Sequence, residues 1–171
     1  MGTPDDNLRR VASQLSIPRL SDQELLQAYA AVLEELRSRG IARTSNNPVA
    51  DYTEWLVCSK LGLRQEANST AGFDASAEDG TKFEIKSRRV TQHNSSVQLS
   101  AIRNLEARHF EYLIGVIYEA DFSLRYAAKV PHRLIAPNSR FSRHSTAHLF
   151  NLTPIVLALP EVEDITAVLA A

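Results

Sequence analysis

The run "YLIGVIY", residues 112 to 118, constrains the fold of this chain more than any other stretch. It is apolar or aromatic throughout apart from one glycine, too short for a core helix, and shows no alternation that would leave one face in water. Such a run reads as a strand covered on both faces. Across "EADF" the segment "SLRYAAKV" (123–130) is expected to return beside it as a hairpin partner, ended by Pro131. A strand buried in this way needs layers of structure above and below, and the rest of the chain must supply them.

The segment "SDQELLQAYAAVLEELRSRG" (21–40) predicts a helix. Ser21 with Glu24 forms a capping box, Leu25, Ala28, Leu33 and Leu36 lie near helical spacing, Arg37 and Arg39 favour the C-terminal end, and Gly40 stops it. Its apolar stripe either docks on the core or meets a second subunit. Pro18 and the polar residues before it predict a loose start. "TSNNPVADYTEWLVCSKLG" (44–62) predicts a second helix, with Asn47 as N-cap, Pro48 at the first position and Gly62 at the end. Its stripe Ala50, Glu54, Val57, Cys58, Leu61 places a carboxylate within an apolar face, which is costly unless it is paired, bonded or facing a cation. Strand-like runs follow at 63–67, 73–77 and 81–88, and "QLSAIRNLEARHF" (98–110) reads as a helix of about ten residues. The last segment, 151–171, is apolar with two prolines and no clear period. The expectation is an α/β (α+β) chain: a mixed β-sheet flanked by helices, with an N-terminal helical extension over 1–46 and one domain over 47–171.

Cys58 is the only cysteine, which excludes a disulfide framework and a cysteine-based zinc site and fits a reducing cytoplasm. The N-terminus lacks the apolar core of a signal peptide, and no apolar run reaches the roughly 18 to 20 residues of a membrane span. The sequons at Asn68, Asn94 and Asn151 are accordingly read as accidental. The formal net charge is −1, which argues against a histone-like binder. Its distribution is uneven. No Asp or Glu occurs from Phe122 to Pro160, a stretch holding Arg125, Lys129, Arg133, Arg140, Arg143, His132, His144 and His148. A second acid-free stretch, Ile85 to Leu105, holds Lys86, Arg88, Arg89 and Arg103. These segments are candidate phosphate-binding surfaces. His144 and His148 have metal-ligand spacing only if helical, and no third ligand is evident.

In "GFDASAEDGTKFEIKSRR" (72–89) the alternation sends Phe83 and Ile85 one way and Lys82, Glu84, Lys86 and Arg88 the other. If Glu78, Asp79 and Gly80 form a three-residue loop with Gly80 left-handed, Ala77 pairs with Thr81 and Asp74 comes opposite Glu84. A two-residue turn would shift the register by one and send Asp74 to the other face. Like charges facing each other across strands are unfavourable without a positive charge between them, and oxygen donors of this kind suit Mg²⁺. Lys86 shares their face.

E-x-K alone arises often by chance. Its setting is a helix with an inward acid, a strand, an acid-bearing strand, a tight turn, the E-x-K strand, a basic loop, a helix and a buried strand. Over residues 48–118 this order resembles the PD-(D/E)xK, or restriction-endonuclease-like, nuclease superfamily. Gly72, Phe73 and Asp74 stand where that family has its first acid, without the preceding proline, and Glu84, Ile85 and Lys86 match the second half. The resemblance implies a restriction-endonuclease-like core with catalytic Asp74, Glu84 and Lys86. It implies Mg²⁺, with Mn²⁺ as substitute, held by Asp74, Glu84 and the Ile85 carbonyl with help from Glu54, and a lysine that serves the hydrolytic water. The expected activity is that of a restriction-type endonuclease acting on double-stranded DNA, with a homodimer favoured for a double-strand cut. Arg88, Arg89, Gln92, His93, Asn94 and Arg103 are the expected nucleic-acid contacts. The alternatives are a non-catalytic nucleic-acid-binding module of the same fold and an unrelated α/β protein with an accidental E-x-K.

Overall fold

A computed structural model describes residues 2–67 and 72–171. The sequon at Asn68 lies outside the described residues. The helices are α1 (Pro4–Gln14), α2 (Asp22–Ser38), α3 (Val49–Leu61), α4 (Pro154–Leu157) and α5 (Thr166–Ala170). The strands are β1 (Arg64–Gln65), β2 (Ala75–Ser76), β3 (Lys82–Arg89), β4 (Ile102–Arg103), β5 (Tyr112–Tyr118), β6 (Leu124–Pro131), β7 (Ser139–Ser142), β8 (Ala147–Phe150) and β9 (Glu163–Asp164). Together they make a mixed α/β fold. A six-stranded sheet in the order β1-β2-β3-β5-β6-β9 is flanked by helices, and β4-β8-β7 form a smaller sheet. Among the described residues only β3 and β5 run parallel; the other pairs are antiparallel.

β5 explains its own sequence. Leu113 and Ile117 face a core that includes Leu99, Ile102, Phe150 and Leu152, while Ile114 and Val116 face Phe83, Ile85, Val57 and Leu169. Residues 113 to 118 are all buried, which is why the run carries no polar alternation. Gly115, beside Lys86 in the parallel register, is required by close approach: a Cβ there would lie 2.9 Å from Leu99 Cδ1 and 3.0 Å from Leu152 Cδ2. The β5–β6 hairpin turns across 119–123 as expected, with the Glu119 N–H donating to the Ser123 carbonyl at 2.8 Å.

The capping box of α2 is present, and Gly62 ends α3 in the left-handed region at φ 64°. Pro48 itself occupies the N-cap of α3, one place later than expected, and Asn47 Oδ1 accepts the Val49 N–H at 3.1 Å. The expected loose start is instead helical. Thr3 and Asp6 form a capping box around Pro4, a signal the sequence carries in full. Both N-terminal helices lie largely in solvent, and Leu33 is the one buried residue of α2.

The helix expected over 98–110 does not form. Leu99, Ile102 and Leu105 recur every three residues and are buried, but the chain reaches that burial by an extended path and a 3₁₀ turn (Leu105–Ala107). The Leu99 N–H donates to the Phe150 carbonyl at 2.9 Å, and Ile102 pairs with His148. Asn104 and Arg108, at φ 52° and 48°, break any helix at both sides of the turn. His144 and His148 belong to the β7–β8 hairpin rather than to a helix, so their spacing does not align them as ligands. Among the described residues no helix is long and apolar enough to cross a membrane.

Candidate active site

The turn at 78–80 sets the site. Gly80 is left-handed at φ 86°, the Ala77 N–H donates to the Thr81 carbonyl at 2.9 Å, and Asp79 Oδ1 accepts the Thr81 N–H. This three-residue loop pairs Ser76 with Lys82 and Ala75 with Phe83. Asp74 comes next, one residue before β2 begins. Its N–H donates to the Phe83 carbonyl at 2.8 Å, and its Oδ2 accepts the Ile85 N–H at 2.7 Å. The carboxylate thus stands in for a strand's backbone acceptor and is fixed beside Glu84. Lys86 Nζ lies 2.5 Å from Glu84 Oε1 and 3.4 Å from Asp74 Oδ2, joining the two acids. The three side chains are 25%, 15% and 18% exposed for Asp74, Glu84 and Lys86. They open on a cavity of about 270 Å³ whose wall also includes Gly72, Arg103 and His109.

Burial pushes the Glu84 carboxyl above the usual carboxylate range; Lys86 opposes the shift and Asp74 adds to it. Burial pulls the Lys86 ammonium down, but Asp74 and Glu84 outweigh it and hold the lysine above its ordinary value. Lys86 is therefore a cation here, able to donate hydrogen bonds and unable to accept a proton. One ammonium between two carboxylates leaves a net charge of −1 if both are ionised.

Glu54 sits on α3 with its carboxylate ion-paired to the Arg43 guanidinium and accepting from Gln65 Nε2 at 3.2 Å. Burial, then Asp74, raises its pKa. It does not complete a three-donor set with Asp74 and Glu84: among the described residues no three His, Cys, Asp or Glu side chains gather as a metal-holding group. Arg43 also donates to the Glu66 carbonyl at 2.7 Å, and its backbone is tied to buried Asp51, whose Oδ2 accepts the N–H groups of Arg43 and Thr44 and the Thr44 hydroxyl at 2.7 to 2.9 Å. The apolar-face glutamate is explained by this partner, which sequence spacing does not reveal.

The expected nucleic-acid contacts separate. Arg103, on β4 rather than on a helix, reaches the acid-pair cavity. Arg88 follows Lys86 on the same face of β3, and its Nε is buried with no hydrogen-bond partner among the described residues. Arg89 faces the other way and lies 4.7 Å from the Phe122 ring centroid. Gln92, His93 and Asn94 are exposed in a tight turn closed by two Thr91–Asn94 backbone hydrogen bonds, and none of them lines the acid-pair cavity. A larger cavity, about 720 Å³, lies beside Lys129, Arg133, Glu161 and Glu163, but these charges pair among themselves, Lys129 with Glu163 and Arg133 with Glu161.

His109 and Asn104 line the acid-pair cavity without having been legible as site residues. The signal for His109 is Gly72. At φ 95° and with a Cβ position only 2.5 Å from His109 Cβ, position 72 admits no side chain. Gly72→Ala is expected to cost at least about 2 kcal/mol from left-handed strain and the displaced histidine. Urea denaturation checks this, and a variant as stable as the parent would mean the approach to Asp74 is not built on that glycine.

Compared with models of known protein families and with the curated proteins, the chain matches none.

Proposed function

We propose that the chain is a divalent-metal-dependent DNA endonuclease with a restriction-endonuclease-like, PD-(D/E)xK core, acting on double-stranded DNA in the cytoplasm, with a homodimer favoured for a double-strand cut. The observation that carries this reading is the convergence of Asp74, Glu84 and Lys86 on one cavity that Arg103 also lines. The residues fit Mg²⁺ or Mn²⁺: the available donors are oxygens, and two carboxylates share a single ammonium. Asp74, Glu84 and the Ile85 carbonyl would hold the ion, which when bound supplies Lewis acidity toward phosphate and makes water more acidic.

The chain's own groups perform the rest. Asp74 is oriented by the Ile85 N–H before any ligand arrives. Lys86, as an ammonium, donates to the attacking water or to a non-bridging phosphate oxygen and offsets the charge that builds there. Arg103 lines the same cavity and can pair with the phosphate there. A second reading, a non-catalytic nucleic-acid-binding module, is favoured by one feature: Lys86 already bridges both acids, and among the described residues no third carboxylate joins them in a metal-holding group.

Incubation with supercoiled, linear and single-stranded DNA, with Mg²⁺, Mn²⁺ or EDTA, separates the two. Ion-dependent nicking or linearisation is expected; binding without cleavage selects the module. Asp74→Asn is expected to weaken Mg²⁺ or Mn²⁺ binding by about tenfold or more, read by calorimetry. Unchanged affinity would remove Asp74 from the ion site.

A further inference from the structure

The acid-pair cavity adjoins a second space. A trough of about 600 Å³ runs between the 105–107 turn and the β7–β8 hairpin, walled by Ile102, Leu105, Phe141 and His148, and it shares Asn104 and His109 with the acid-pair cavity. Its walls are mainly apolar and aromatic. Phe141 is 51% exposed, although it lies on a structured strand opposite His148, with the two rings in an edge-on arrangement 5.3 Å apart. His148 Nδ1 is in turn held by the Ser139 hydroxyl at 2.7 Å. The same hairpin carries Arg140 and Arg143, both exposed and neither ion-paired among the described residues; they stand outside the trough wall, where they add positive charge to its surroundings. Among the described residues Glu106 is the only acid on the trough wall.

An occupant that fits both spaces has a phosphate at one end and a flat, π-bonded ring at the other, and the cationic hairpin complements its charge. We infer that the trough receives a nucleobase of the DNA strand whose phosphate enters the acid-pair cavity, with that base stacked on Phe141. This rests on the nuclease reading and narrows it. A base paired within a duplex cannot enter a trough of this kind, so the duplex that is cut has a base displaced from the helix beside the cleaved bond, and a single strand offers the same base without that cost.

The test uses the full chain, a fluorescein-labelled single-stranded 20-mer and a duplex carrying one bulged base, with Ca²⁺ in place of Mg²⁺. Phe141→Ala is expected to weaken both complexes at least about fivefold by anisotropy, the low end for loss of one stacked base. Phe141→Trp is expected to bind within about twofold of the parent, and its added tryptophan emission to be quenched by the oligonucleotide, beyond any change from Trp55. If Phe141→Ala does not fold, by circular dichroism, the quenching of Phe141→Trp decides. DNA bound or cut by the parent, together with undiminished binding by Phe141→Ala or unquenched emission from Phe141→Trp, overturns the trough assignment and leaves the nuclease reading standing. A parent that neither binds nor cuts DNA overturns both.

Discussion

Lys86→Met is expected to lower the stability of the chain by about 3 to 5 kcal/mol near neutral pH and, on the proposed nuclease reading, to abolish DNA cleavage while leaving binding largely intact. The cause is the charge arithmetic of the site. Among the described residues Lys86 is the only ammonium in contact with both Asp74 and Glu84, at 3.4 and 2.5 Å, and all three side chains are at most a quarter exposed. Removing it leaves two partly buried carboxylates next to each other with nothing positive between them. In the parent, the raised lysine pKa means that the ion pairs contribute fully below the unfolded lysine value, about 10.4, and are lost as pH rises through the folded value. In the variant the balance moves to the acids. Glu84, already raised by burial, loses the group that opposed the shift. Its folded form then holds a proton that the unfolded chain releases, so variant stability falls as pH rises from the unfolded carboxylate range through the folded value. The gap between parent and variant is therefore expected to be widest near pH 8 and to narrow toward pH 5. Urea titrations at both pH values check this. A second arm asks whether Mg²⁺ restores the variant more than the parent, as expected if the cation fills the place of the ammonium. Equal cleavage by parent and variant would reject the catalytic role of Lys86, and a constant gap across pH would reject its role in neutralising the acids.

Sequence and structure agree where local chemistry decides the geometry. "EDG" announces a tight turn with Gly80 in the left-handed position and leaves two registers open; the structure takes the three-residue one, and that register brings Asp74 to Glu84. The continuous apolar run of β5 likewise announces burial on both faces. What was not legible depends on partners distant in the chain. Leu99, Ile102 and Leu105 carry a spacing compatible with a helix, and only the β8 edge, some fifty residues later, supplies the hydrogen bonds that make an extended path better. Glu54 raised a correct question about an acid on an apolar face. Its answer, Arg43 in the loop before α3, leaves no periodic trace. The α1 helix was different: Thr3, Pro4 and Asp6 spelled out its start, and the nearby polar residues and Pro18 obscured it.

The chain that holds Arg43 makes Asp51 the second position of large effect. Asp51 is 7% exposed and is not at the acid pair, yet its Oδ2 alone receives the N–H groups of Arg43 and Thr44 and the Thr44 hydroxyl. Replacing it with alanine strands two backbone donors, each worth about 1 to 3 kcal/mol when left unsatisfied in a buried place. It also releases the loop from which the Arg43 guanidinium reaches Glu54 and the Glu66 carbonyl. Asp51→Ala is expected to lose about 3 kcal/mol by urea denaturation, while Asp51→Asn, which keeps a carbonyl acceptor, loses about 1 kcal/mol. The two variants separate structure from chemistry. If the loop positions the site through Arg43 and Glu54, cleavage by folded Asp51→Ala should fall by about tenfold or more with little change in DNA affinity, and Asp51→Asn should recover most of it. Parent-like cleavage by Asp51→Ala, at a temperature where it is fully folded, would confine Asp51 to a stabilising role and leave Glu54 outside the reaction.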